Sequence, residues 1–243
     1  MSIRSTPYGT LQIGDLEQTF QSMVRLIEET VKNKPGGLVT VGLSGGSTPK
    51  AFYAWVVKNK ALSQEALVHC LWSTSDERHV PLNSPDSNFG NADRDMLTPF
   101  NTPATGKMPW PVELNPEACC AAYNDAWNQK IGADQGFDLC FLGMGDDAHT
   151  ASLFPGCPLI GSDITDPFAC TEWPGRGWRL TITEAGLAKC GKIIMVTNGA
   201  GKAEALRNVI HGEYNPSHYP SQIHRAHADR TLWLIDEPAA ALI

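Results

Sequence analysis

Six short apolar runs, spaced through the chain and separated by helical or polar stretches, constrain its fold most. They lie at 38–43, 67–72, 137–142, 178–183, 192–197 and 231–235. Each has the length of a buried strand and too few residues for a core helix. Between them the period changes. Leu16, Phe20, Met23, Val24, Ile27 and Val31 recur at helical spacing, predicting a helix over 15–33 that Pro35-Gly36-Gly37 breaks. Pro49 suits the first position of a helix over 50–58. Asn115 followed by Pro116 caps another that runs to Lys130, and a further helix is expected over 201–210. Strands alternating with helices imply βα units, hence an α/β fold with a mainly parallel sheet. No long linker or repeat interrupts the pattern, so one domain over 1–243 is expected. The loop-rich stretches 98–111 and 214–227 are expected to cover a site.

Composition narrows the partners. The net charge of -7 argues against nucleic acid or an anionic membrane as the main partner, yet leaves room for a small anionic substrate beside local cations. The N-terminal residues lack the apolar core of a signal peptide, and no apolar run approaches the roughly 20 residues that cross a bilayer. Seven cysteines at unrelated spacings read as reduced thiols, so a cytoplasmic location is expected. Adjacent Cys119-Cys120 is not a metal pair, and His218, His224 and His227 lack regular ligand spacing. No metal is expected, and a monomer and a homodimer both stay open.

Three polar clusters follow predicted strands. Ser44-Gly45-Gly46-Ser47-Thr48-Pro49 lies between a strand and a helix, where glycines and free N–H groups can cradle a phosphate or simply make a turn. It is neither of the common nucleotide fingerprints. Asp76-Glu77-Arg78, with Ser87-Asn88 beyond, reads as a solvated loop when taken alone. The third cluster, Gly143 to Gly156, carries Asp146, Asp147 and His149 directly after a strand. Parallel strands bring such loops to one sheet edge, where open α/β sheets hold their ligands. An imidazole beside Asp147 there has the near-neutral proton affinity of a general base. Arg179 and Lys202 stand near element ends as surface charges or as phosphate partners.

Together and in this order, these segments resemble the glucosamine-6-phosphate isomerase/6-phosphogluconolactonase superfamily. The matching parts are Ser44 to Pro49, Asp76 to Pro81 with Ser87-Asn88, Phe137 to Gly156, Arg179 to Thr183, the Gly201-Lys202 helix start and the ending Leu232 to Glu237. The resemblance is to the lactonase branch. It implies a Rossmann-like three-layer α/β fold, no metal or organic cofactor, and hydrolysis of 6-phosphoglucono-δ-lactone in the oxidative pentose phosphate pathway. It implies that His149 activates water; the chemistry then expects Asp147 to orient the imidazole and Asp76 to contact substrate hydroxyls. Ser44, Gly45, Gly46, Ser47 and Thr48 would hold the phosphate, with Asn88, Arg78, Arg179 and Lys202 contributing to binding. The alternatives are a sugar-phosphate sensor without turnover and the sister deaminase activity. Deaminases of the family carry a glutamate five residues after the matching histidine, where this chain has Phe154. Ala148 stands where the family usually has glycine. A positive φ there would strain alanine by about 1 kcal/mol or more. The intact neighbours Asp147 and His149 lead to the expectation that it is tolerated.

Overall fold

The alternating periods resolve into ten strands and seven α-helices in a computed structural model that describes residues 1–243. An N-terminal hairpin, β1 (Ser2–Thr6) and β2 (Gly9–Gly14), precedes α1 (Leu16–Lys32) and β3 (Val39–Leu43). The next elements are α2 (Ser47–Asn59), α3 (Gln64–His69), β4 (Cys70–Thr74), β5 (Asp76–Arg78), α4 (Asn88–Ala92), α5 (Pro116–Lys130) and β6 (Leu139–Gly143). The last third holds β7 (Phe168–Trp173), β8 (Gly177–Ile182), α6 (Glu184–Ala188), β9 (Lys192–Thr197), α7 (Ala203–His211) and β10 (Thr231–Asp236).

Seven strands form the main sheet in the order β1-β2-β10-β9-β6-β3-β4. Only β1 runs antiparallel to its neighbour. Side chains alternate between the two faces, as the pleat requires. Leu139, Phe141, Ile194 and Val196 face the core built with Phe20, Ile27 and Phe52 of α1 and α2. Cys140, Leu142, Ile193 and Met195 face the opposite core, with Trp127 of α5 and Leu206 of α7. Strands buried on both faces explain why their sequences read as continuous apolar runs. The three-layer α/β expectation holds. No helix is long and apolar enough to cross a membrane.

Three expectations are corrected. The run at 178–183 forms β8, which leaves the parallel sheet and pairs antiparallel with β5 and β7 in a second, three-stranded sheet. The run at 67–72 divides between α3 and β4. Ser63 caps α3 by accepting a hydrogen bond from Ala66 N, so helix persists to His69 before the chain extends. The loop-rich stretches do not line the crevice described below. Met108 N–H donates to Trp72 C=O at 2.9 Å, laying the first stretch along the β4 edge, where it covers unpaired backbone groups. The second becomes a 3₁₀ segment, Pro220–Arg230.

Glu77 ties β5 of the second sheet to the start of α4. Its side chain is fully buried and accepts from four donors. Oε1 takes Arg78 N–H at 2.8 Å and Asn88 N–H at 2.6 Å, while Oε2 takes Phe89 N–H at 2.8 Å and the Ser87 hydroxyl at 3.0 Å. Burial pushes this carboxyl up to about 7, despite the four bonds that favour its charged form. An amide would turn its NH₂ towards two of those donors. Glu77→Gln should therefore destabilise the protein by about 2–3 kcal/mol. At pH 8 that change should appear as a lower urea midpoint at unchanged slope.

Candidate active site

Four loops leave the carboxyl ends of β3, β4, β6 and β9 and meet over one crevice. Its position follows from chain order. From β3 the chain adds β4 on one side, whereas β6, β9 and β10 build outward on the other. The crevice therefore opens at the switch point between β3 and β6, where backbone connections diverge. Ser44, Gly45, Gly46, Ser47 and Thr48 line one wall, and Asp76, Arg78 and Asn88 line the next. His149 and Lys202 complete it. Asp147 and Arg179 are the two predicted site residues that do not line it.

The first wall is shaped by close approach. Gly46 has φ +106° and precedes α2, leaving the helix's first N–H groups without side-chain caps. A Cβ on Gly45 would overlap the Asn88 carboxamide, so only glycine lets these loops touch. Asn88 Nδ2 donates to the Asp76 carbonyl at 2.9 Å, and Asp76 Oδ2 accepts from the Ser152 hydroxyl at 2.8 Å. Asp76 is thus held from both the β4 and β6 loops. Arg78 donates to the Asp86 carbonyl at 2.6 Å. Lys202 has only the exposed Asp146 carboxylate nearby, at 4.0 Å. Its charge remains available to an anion.

His149 is set by a tight turn. Gly145 N–H donates to the His149 carbonyl at 2.8 Å, and the imidazole lies so close over Gly145 that a Cβ there would overlap it. The ring Nδ1 meets Asp147 Oδ1 at 2.5 Å, and the His149 backbone N–H reaches the same oxygen at 3.1 Å. Partial burial pushes the Asp147 carboxyl up, but the hydrogen bonds and charge of His149 outweigh it and hold the group at about 2. An ionised carboxylate can only accept, so Nδ1 carries a proton, and in the neutral ring the lone pair is then on Nε2. Ala148 has φ +63°, so the strained alternative applies, at about 1–2 kcal/mol. Its methyl is fully buried.

Arg179 faces Arg78 across the β5–β8 pair, but its guanidinium donates to the carbonyls of Arg176, Gly177 and Trp178 at 2.5, 3.4 and 3.1 Å. Burial, then the neighbouring Arg78 charge, presses its pKa below the ordinary value. Phe154 stacks on Trp173 with centroids 4.7 Å apart, and Trp173 meets the His149 ring edge-on at 4.9 Å. The sequence reading missed Trp173 and Asn198. Asn198 lines the crevice, and its side-chain oxygen and nitrogen are buried without partners. Its place directly after β9 was the available signal. Trp173 gave none, because its contact with His149 joins two sheets. No three His, Cys, Asp or Glu side chains cluster as metal ligands would.

The family model for glucosamine-6-phosphate isomerases/6-phosphogluconolactonase matches residues 14–233. The chain belongs to this family. A Synechocystis 6-phosphogluconolactonase is 32% identical over 212 residues, covering 84% of each chain. A human 6-phosphogluconolactonase is 31% identical over 209 residues, covering 84% of this chain and 80% of that one. Among solved structures, a 6-phosphogluconolactonase from Trypanosoma cruzi superposes with a TM-score of 0.83 at 21% identity, covering 99% of this chain and 97% of that one. A monomeric glucosamine-6-phosphate deaminase superposes with a TM-score of 0.79 at 18% identity, covering 96% and 99%. Both activities of the family therefore share this fold, and the side chains of the crevice must distinguish them.

The Asp147–His149 bond also sets a pH dependence. A carboxyl lowered on folding contributes stability above its unfolded value, near about 4, and loses it as pH falls through its folded value. For Asp147 that value is about 2. His149→Ala should raise the Asp147 pKa and flatten its share of the acid-side loss between about pH 4 and 2. Urea midpoints of both proteins across that range check this.

Proposed function

We propose that this chain hydrolyses 6-phospho-D-glucono-1,5-lactone to 6-phospho-D-gluconate by general-base activation of water. The observation that carries the reading is His149, held by Asp147 at 2.5 Å and lining the same crevice as the glycine-rich loop before α2. The 6-phosphate is the group suited to that loop, taking backbone N–H groups at the α2 N-terminus and the Lys202 charge.

With Asp147 holding Nδ1–H, Nε2 of neutral His149 takes a proton as water attacks the lactone carbonyl carbon. The carbonyl oxygen becomes an oxyanion, for which Arg78 is the cation on the neighbouring wall. Collapse restores the carbonyl, breaks the bond to the ring oxygen and passes the proton from Nε2 to that oxygen. The new carboxylic acid then ionises. A lactone is an activated ester, so one base and one charged wall are adequate help. Asp76, fixed by Ser152 and facing the crevice, is placed to accept from sugar hydroxyls.

The deaminase reading is disfavoured at Phe154, which is 5% exposed and stacked on Trp173. A hydrocarbon ring in that stack cannot relay a proton. A sensor without turnover would have no use for a base held in one tautomer.

Freshly generated lactone, corrected for spontaneous opening, is the test substrate. His149→Ala should lower kcat by about 10²–10⁴-fold with little change in KM. Lys202→Ala should raise KM by about 10–100-fold, the loss of one charge-assisted contact. Glucosamine 6-phosphate should release no ammonia. Wild-type protein that leaves lactone opening at its spontaneous rate would refute the reading.

A further inference from the structure

The turn carrying His149 holds two non-glycine residues in the left-handed region, Ala148 at φ +63° and Ala151 at φ +48°. Such residues persist only where surrounding contacts over-determine the backbone. Here the contacts come from behind the turn, from the 214–230 segment that does not line the crevice. Ser221 N–H donates to the Ala148 carbonyl at 2.9 Å, and the Ser221 hydroxyl donates to the same oxygen at 2.8 Å. A carbonyl has two lone pairs, and both are engaged.

That carbonyl belongs to the peptide group whose N–H is the His149 amide. A planar peptide moves as one body, so fixing the oxygen fixes the N–H on its other side. The His149 N–H donates to Asp147 Oδ1 at 3.1 Å, the oxygen that also holds the imidazole Nδ1. Ser221 is fully buried. Two further contacts tie the same segments together. The Thr150 hydroxyl lies 3.4 Å from His224 Nε2, and Gly156 N–H donates to the Ser217 carbonyl at 2.8 Å. Burial, then His227, holds His224 down at about 3, so it brings no charge to the back of the turn.

We propose that Ser221 is a positioning residue for the His149–Asp147 pair, holding the strained peptide between Ala148 and His149 through two hydrogen bonds to one carbonyl. The proposal rests on His149 being the base of the lactonase reading. It predicts a coupling between Ser221 and Ala148 that mere core packing would not produce, because glycine adopts this φ without strain.

Ser221→Ala removes the hydroxyl bond and keeps the backbone one. It should lower kcat by about tenfold, the equivalent of one net hydrogen bond, with KM within about twofold. Exchange of the His149 amide hydrogen should quicken by a similar factor. When Ser221→Ala is made in a protein already carrying Ala148→Gly, its effect on kcat should shrink towards none. Unchanged kcat and amide exchange in Ser221→Ala would overturn the proposal, as would an equal loss of kcat with and without Ala148→Gly. If the wild type hydrolyses no lactone, the lactonase reading fails alone, and the amide exchange still decides whether Ser221 holds the turn.

Discussion

Parallel pairing of β3 with both β4 and β6 governs where the other parts of this protein can stand. Parallel strands present all their carboxyl ends on one edge, so the loops after β3, β4, β6 and β9 emerge side by side. The direction of chain winding reverses between β3 and β6, and the connections part there and leave a crevice. Polar groups can gather in that crevice without disturbing either core, because each strand's apolar residues are already committed to one face or the other. Sheet pairing and site position are thus one decision.

Holding polar loops at a buried edge has a cost, and the chain meets it with local hydrogen-bond saturation. Glu77 supplies acceptors for three backbone N–H groups and a serine hydroxyl where β5 turns into the α4 loop. Ser221 supplies two donors to the carbonyl of a strained residue beside the histidine. Neither side chain lines the crevice, yet each governs residues that do. Asp76, Arg78 and Asn88 depend on the first, and His149 on the second. Removing a partner from such a buried set exposes an unsatisfied group, which is costlier than losing one net hydrogen bond.

An aromatic wall flanks the imidazole. Phe154 and Trp173 stack beside His149, and Arg176 lies 4.8 Å over the Trp173 ring. The second sheet thereby makes an apolar and cationic flank for the imidazole. A glutamate at 154 would place a titrating carboxylate where this chain has a stacked ring.

The parallel strands β3, β6, β9 and β10 were legible because strands buried on both faces must be continuously apolar. The Ser44–Thr48 loop, His149 and Lys202 were legible because they follow those strands, and Asp76 because it follows the run that ends in β4, with Asn88 read alongside it. The hairpin β1–β2 was not, since its outer strand is exposed and carries no burial pattern. The run that became β8 reads like any buried strand, and only its partners reveal that it belongs to another sheet. By itself the sequence determined the α/β class, the strand-end loops and the neighbouring Asp147 and His149, each read from residues close together in the chain. Tertiary structure alone decided that Arg179 turns away to hairpin carbonyls, that Trp173 flanks His149, and that Ser221 grips Ala148 from 73 residues away. Those contacts join segments whose spacing along the chain carries no period, so no local pattern could announce them.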